Sequence, residues 1–121
     1  MELSLGWQQI LSKYHNYVFI VEGKKDAAAL NALGLMRVYA IHANGISLRE
    51  RIEYISQYVG KKDVVCILTD FDKKGKQLYI ILKREFQNLG VKMDNSLRKI
   101  LLIQGISHIE GLDSYIENHE L

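Results

Sequence analysis

The stretch Val64-Val65-Cys66-Ile67-Leu68-Thr69-Asp70-Phe71-Asp72-Lys73-Lys74-Gly75 decides how this chain folds. Its first five residues are apolar without a break, which marks a strand buried on both faces. The run then meets two aspartates spaced i, i+2, a lysine pair and a glycine, ahead of a strongly helical segment. Alternate side chains of extended backbone leave the same face, so Asp70 and Asp72 converge on one point. An earlier run, Tyr17-Val18-Phe19-Ile20-Val21, ends in the same way, with Glu22, Gly23 and a helix. Two parallel strands that both end in carboxylates place Glu22, Asp70 and Asp72 on one edge of a sheet.

The flanking sequence fits that frame. Trp7, Ile10, Leu11 and Tyr14 sit at helical spacing and predict an amphipathic helix over 3–15, with Trp7 as a packing residue. Lys24 to Leu33 is helical, Asp26 offsets the positive end of its dipole, and Gly34 ends it. A second strand over 38–41 leads into the turn His42-Ala43-Asn44-Gly45. Ser47 and Glu50 have capping-box spacing, and Leu48, Ile52, Ile55 and Val59 form the buried stripe of the next helix. The central strand is expected over 64–69. A helix from Lys76 to Leu89 follows, with Leu78, Ile81, Leu82, Phe86 and Leu89 on one face. A short strand at 91–93 and helices within 95–118 complete the chain. Alternating strands and helices predict an α/β fold, a mainly parallel sheet of about four strands with helices on both faces. Such sheets bind ligands at the carboxyl ends of their strands.

Length and composition narrow the class. A chain of 121 residues forms one domain, 1–121, large enough for a core without staples. The single cysteine, Cys66, lies mid-strand, makes no internal disulfide and points to a reduced, cytoplasmic setting. No apolar run approaches the ~20 residues of a membrane helix, and the N-terminus lacks a secretory pattern. The net charge of +2 hides an asymmetry: the segment from Glu110 onward has four acids and no Lys or Arg. The preceding 109 residues carry 16 bases against 10 acids, a net of +6. Lys24, Lys25, Lys73, Lys74 and Lys76 cluster beside the acidic edge, which suits a phosphate-bearing partner. A solvated charged face is the plainer reading of the same lysines.

Three carboxylates within ~4 Å of one another would repel by about 4 kcal/mol per ionised pair at an effective dielectric near 20. Either they take up protons or a divalent cation sits among them. Carboxylate oxygens favour Mg²⁺, Mn²⁺ or Ca²⁺ over zinc, and Mg²⁺ joins carboxylates to substrate phosphate. Metal-assisted phosphoryl transfer is the natural chemistry. Each residue also has a structural reading: Asp72 is a favoured helix N-cap, and Asn44 a turn former. His42 reads as a loop residue, and His15, His108 and His119 show no ligand spacing. An EF-hand reading fails because its twelfth position is Ile81. A phosphoaspartate receiver would want an acidic pair after the first strand, and a haloacid-dehalogenase-type phosphatase its Asp-x-Asp on the first strand.

Glu22-Gly23-Lys24-Lys25-Asp26 after one strand and Asp70-Phe71-Asp72-Lys73-Lys74-Gly75 after another, in that order, resemble the Toprim domain. This Rossmann-like catalytic domain is shared by topoisomerases, bacterial-type primases and small ribosomal-RNA-maturing nucleases. The resemblance covers residues 17–93. The Asn44-Gly45 loop is similar to the corresponding turn of the RNA-maturing enzymes. Chain length and Ile109-Glu110-Gly111-Leu112 are similar to small stand-alone archaeal Toprim proteins. The resemblance implies Glu22 as general acid/base or first-metal ligand, and Asp70 and Asp72 as ligands of one or two Mg²⁺ ions, with Mn²⁺ as a substitute. Gly23, Lys24, Lys25, Asn44, Lys73, Lys74 and Lys76 would hold substrate phosphate. The winged-helix, zinc-binding and C-terminal parts of the larger enzymes are missing from this sequence, so neither a topoisomerase nor an unaided primase is expected. The expected activity is cleavage of nucleic acid, RNA favoured over DNA, beside a ribonucleoprotein or other protein partner. The alternative is a non-catalytic, metal-dependent nucleic-acid or ribonucleoprotein binding module.

Overall fold

The computed structural model describes residues 4–42 and 45–120. Helix α1 (Leu5–Lys13) opens the chain, with the Ser4 side chain accepting the Trp7 N–H at its start. There follow β1 (Val18–Val21), α2 (Lys24–Ala32), β2 (Val38–Ala40), α3 (Leu48–Ser56) and β3 (Val64–Ile67). Next come α4 (Lys73–Asn88), β4 (Lys92–Met93), α5 (Ser96–Ile103), a 3₁₀ turn at Ile109–Gly111 and α6 (Leu112–Asn118). Among the described residues the four strands form one sheet in the order β2-β1-β3-β4, and every pairing is parallel.

Residues of β1 and β3 alternate between two apolar layers, which is why both strands read as unbroken hydrophobic runs. Phe19, Val21, Cys66 and Leu68 face a layer that includes Trp7 and Leu11 of α1, Leu30 of α2, Leu97 and Leu101 of α5, and Ile116 of α6. Val18, Ile20, Val65 and Ile67 face Ile52 and Ile55 of α3 and Leu78, Leu82 and Phe86 of α4. Each such large side chain removed from water contributes about 1.5–3 kcal/mol. Trp7 is fully buried and packs, as its helical spacing implies. Among the described residues no helix is long and apolar enough to cross a membrane.

Two expectations about α4 are corrected. The helix begins at Lys73 rather than Lys76, because Asp72 caps it and both lysines enter its first turn. Ile81 and Leu89 do not share the buried stripe, being 37% and 50% exposed. The face that meets the sheet is Leu78, Leu82 and Phe86, and Ile81 and Leu89 line an open groove of about 530 Å³ beside Leu48 and Ile52 of α3. The capping box at α3 is also modified. The Glu50 N–H donates to Ser47 Oγ at 3.2 Å, and the serine hydroxyl donates to Glu50 Oε1 at 3.1 Å.

Just ahead of β2 and β3, Arg37 and Asp63 clamp the connections. The guanidinium makes a bidentate pair with the Asp63 carboxylate, at 2.8 and 3.0 Å. Arg37 also reaches the Asn16 and Tyr58 carbonyls. The guanidinium and the Gly60 N–H hold the Asp63 carboxyl down at about 2.

Candidate metal and phosphate site

The sheet ladder extends past the strands and fixes the edge where the acids lie. Leu68 N–H donates to the Ile20 carbonyl at 2.8 Å, and His42 N–H to the Glu22 carbonyl at 3.0 Å. Glu22 then bridges the two strand ends directly, its Oε2 accepting the Asp70 N–H at 2.8 Å. Its Oε1 stands 4.0 Å from His42 Nε2.

Asp70 and Asp72 each commit one oxygen to a backbone N–H. Asp70 Oδ1 accepts from Ile109 at 2.9 Å, at the start of the 3₁₀ turn. Asp72 Oδ1 accepts from Gly75 at 2.8 Å and so caps α4. The structural reading of Asp72 therefore holds, yet its Oδ2 remains directed outward, 3.9 Å from His108 Nε2. One donor atom each of Asp70, Asp72 and His108 falls within 4.8 Å of the others. Glu22 touches this group through the Asp70 backbone rather than sharing that 4.8 Å cluster.

Tight backbone packing aims these side chains. Gly75 lies so close to the β3–α4 loop that a Cβ built on it would stand 2.0 Å from the Asp70 carbonyl oxygen. The buried Thr69 hydroxyl donates to the Gly75 carbonyl at 2.7 Å, locking the first turn of α4 to the strand end. From α5, the buried Arg98 donates to the Thr69 carbonyl at 2.7 Å and to the Asp70 carbonyl at 3.4 Å. Its guanidinium is sandwiched between the Phe71 and Tyr79 rings, 4.4 Å from each centroid. Burial lowers the Arg98 pKa, and the charges of Glu22 and Asp70 act in the opposite direction. Arginine stays charged across the ordinary range, so a cation lies directly beneath the acids.

A fourth acid belongs to the same neighbourhood. Asp26, buried in the first turn of α2, accepts the Gly23 N–H at 2.9 Å. Burial pushes its pKa up, the Gly23 N–H opposes this, and Asp70, Glu22 and Glu110 push in the same direction as burial. Lys24 and Lys25 occupy the exposed first turn of α2, and Lys73, Lys74 and Lys76 the exposed start of α4. None of the five makes an ion pair among the described residues. Asn44 lies outside the described residues.

Two contributors escape a reading by spacing. His108 follows α5 and reaches the site because Ser107 and Ile109 dock on Phe71 and Asp70. Arg98 carries a weak signal, a cation placed beside Leu97 and Leu101 within an apolar helix face.

Two carboxylates and an imidazole form a donor set suited to a divalent cation, and Asp70 and Asp72 each spend Oδ1 on a backbone N–H, which leaves Oδ2 for an ion. Residues 17–100 match the model of the Toprim domain. A UPF0292 protein of Methanocaldococcus jannaschii is 35% identical over 102 residues, spanning 80% of this chain and 76% of its own. A UPF0292 protein of Methanosarcina barkeri is 32% identical over 124 residues, spanning 94% of this chain and 82% of its own. A solved structure of an Aquifex aeolicus protein superimposes with a TM-score of 0.72 at 27% identity, covering 87% of this chain and 94% of that one. The matched segment holds all four strands and both acid-bearing turns, and the chain belongs to the Toprim domain family.

Proposed function

We propose that this protein carries out Mg²⁺-dependent phosphodiester chemistry on nucleic acid, as a nuclease acting on RNA. Membership of the Toprim family supports a metal-dependent, nucleic-acid-related role. The observation that carries the reading further is the convergence of Asp70 and Asp72 on one point at the carboxyl edge of a parallel sheet, with Glu22 bonded to the Asp70 N–H. In this reading Asp70 and Asp72 hold the cation with the oxygens they do not use as backbone acceptors. The ion supplies charge neutralisation at the phosphoryl oxygens. Glu22, partly sheltered beside His42, takes the proton from the attacking water as general base. Where two ions bind, it is a ligand of the first. Lys24, Lys25, Lys73, Lys74 and Lys76 lie on the first turns of two helices, where backbone N–H groups and ammonium charges both favour phosphate. Gly23 and Asn44 complete the proposed phosphate contacts. A ribonucleoprotein or other protein partner in the cytoplasm fits a domain of this size.

Labelled structured RNA and DNA, each incubated with the protein and either Mg²⁺ or EDTA, test the proposal. Cleavage of RNA in Mg²⁺, abolished by EDTA and reduced at least about 100-fold in Glu22→Gln, is expected for a lost general base. Mg²⁺-dependent retention of RNA without any cut would replace the nuclease with a non-catalytic binding module.

A further inference from the structure

His108 is held at the acidic edge from both sides of its own backbone. The Ser107 carbonyl accepts the Phe71 N–H at 3.0 Å, and the Ile109 N–H donates to Asp70 Oδ1 at 2.9 Å. These two bonds place the residue between them beside Asp70 and Phe71, and its ring is 55% exposed, open to an ion from solvent. Its two nitrogens face different partners. Nδ1 lies 3.0 Å from Ser107 Oγ, a hydrogen bond. Nε2 lies 3.9 Å from Asp72 Oδ2, too far for one.

That spacing has a chemical meaning. Donors ~2.1 Å from an octahedral ion stand about 3 Å apart when adjacent and about 4.2 Å apart when opposite. The Nε2 to Oδ2 gap falls between these values, so an ion fits there with small side-chain movement. Metal-binding histidines typically anchor the second ring nitrogen, which fixes tautomer and ring plane. The Ser107 hydroxyl engages Nδ1, and in the tautomer protonated at Nδ1 that oxygen accepts the Nδ1–H and the Nε2 lone pair is free on the side of Asp72.

We propose that His108 Nε2 is a third protein ligand of the cation held by Asp70 and Asp72, which makes this a mixed nitrogen–oxygen centre. This rests on the metal reading above and deepens it. An imidazole donor raises affinity for Mn²⁺ and Co²⁺ relative to Mg²⁺, since nitrogen suits the transition ions and Mg²⁺ prefers oxygen. The centre accordingly prefers Mn²⁺ when both ions are offered.

The test uses the full chain loaded with Mn²⁺, with binding followed by calorimetry and nitrogen coupling by pulsed electron paramagnetic resonance. The expected result is a ¹⁴N modulation in the natural protein, retained in His42→Gln and lost in His108→Gln. Mn²⁺ should bind His108→Gln about tenfold or more weakly, with a smaller change for Mg²⁺. Ser107→Ala should lie between, because the ring loses its anchor but keeps its donor. Trp7 fluorescence establishes that each variant is folded. Stoichiometric Mn²⁺ binding without ¹⁴N modulation would overturn the role of His108 and leave the carboxylate centre standing. A modulation that survives His108→Gln would overturn it equally. Absence of Mn²⁺ binding at millimolar concentration would overturn the centre itself.

Discussion

Replacing Gly75 by alanine should destabilise this protein, against the rule for helices. Alanine in place of glycine inside a helix normally contributes about 1 kcal/mol of stability. Gly75 stands in the first turn of α4, so propensity alone predicts a gain. The new Cβ, however, would stand 2.0 Å from the Asp70 carbonyl oxygen, 2.6 Å from its carbon and 3.0 Å from its Cα. All of these are backbone atoms, and none can swing away as a side-chain tip does. Reaching ordinary contact needs more than 1 Å of movement between α4 and the end of β3. Overpacking of this kind costs about 1–3 kcal/mol. The same movement strains the Thr69 hydroxyl bond to Gly75 and the Arg98 bond to Asp70, about 1 kcal/mol or more each. After the propensity gain, a net loss of about 2–4 kcal/mol is expected. With a urea slope of about 1.5 kcal/mol/M, the unfolding midpoint falls by about 2 M. The lone tryptophan, buried in the α1 layer, reports the transition. Gly111→Ala is the control, since no atom of the described residues lies within 4 Å of its Cβ position and it carries no such penalty. A Gly75→Ala midpoint equal to or above that of the natural protein would refute the packing argument.

Two further predictions concern pH. Asp63 has its folded pKa held near 2 by Arg37, below its unfolded value of about 3.9. The resulting stability is complete above about pH 4 and disappears as pH falls toward 2. Because the pair is partly exposed, we expect about 1 kcal/mol rather than the larger figure the shift implies. Asp63→Asn should flatten acid unfolding curves in that window, and an unchanged acid limb would count against the clamp. Tyr17 has its pKa raised to about 12, chiefly by the hydrogen bond its hydroxyl donates to Asp94 at 2.7 Å. Its contribution is complete below about pH 10 and is lost between 10 and 12. Tyr17→Phe should cost about 1–2 kcal/mol at neutral pH and remove the latest-titrating phenol from the ultraviolet titration. A natural protein whose phenols all titrate near 10 would contradict this.

Much of this architecture was legible because the strongest signals are local. Val18 to Val21 and Val64 to Leu68 are apolar without interruption because both layers cover them, and the acids that end them are adjacent in sequence. The caps at Ser47 and Asp72 are likewise written within three residues. What escaped depends on docking between distant segments. Gly75 argues for a turn by propensity, yet it is helical because only a residue without a side chain fits against Asp70. Ile81 and Leu89 obey the helical period but fall on the side of α4 that faces the groove. His108 has no acid at ligand spacing in sequence to mark it as part of the site, since its address is set by the contacts that Ser107 and Ile109 make with Phe71 and Asp70. Arg98 looks like any cation on an amphipathic helix until Phe71 and Tyr79 close over it.

The docking of residues 107–109 also orders events in time. A growing chain emerging from the ribosome can pair β1, β2 and β3 once residue 67 is free, but His108 and the N–H that braces Asp70 are then still unmade. The acidic edge therefore stays incomplete until residues 107–109 have followed, some forty positions after the last residue of β3. A chain cut short before residue 107 can retain most of its sheet, yet it lacks the two hydrogen bonds that fasten the β3–α4 turn at Phe71 and Asp70.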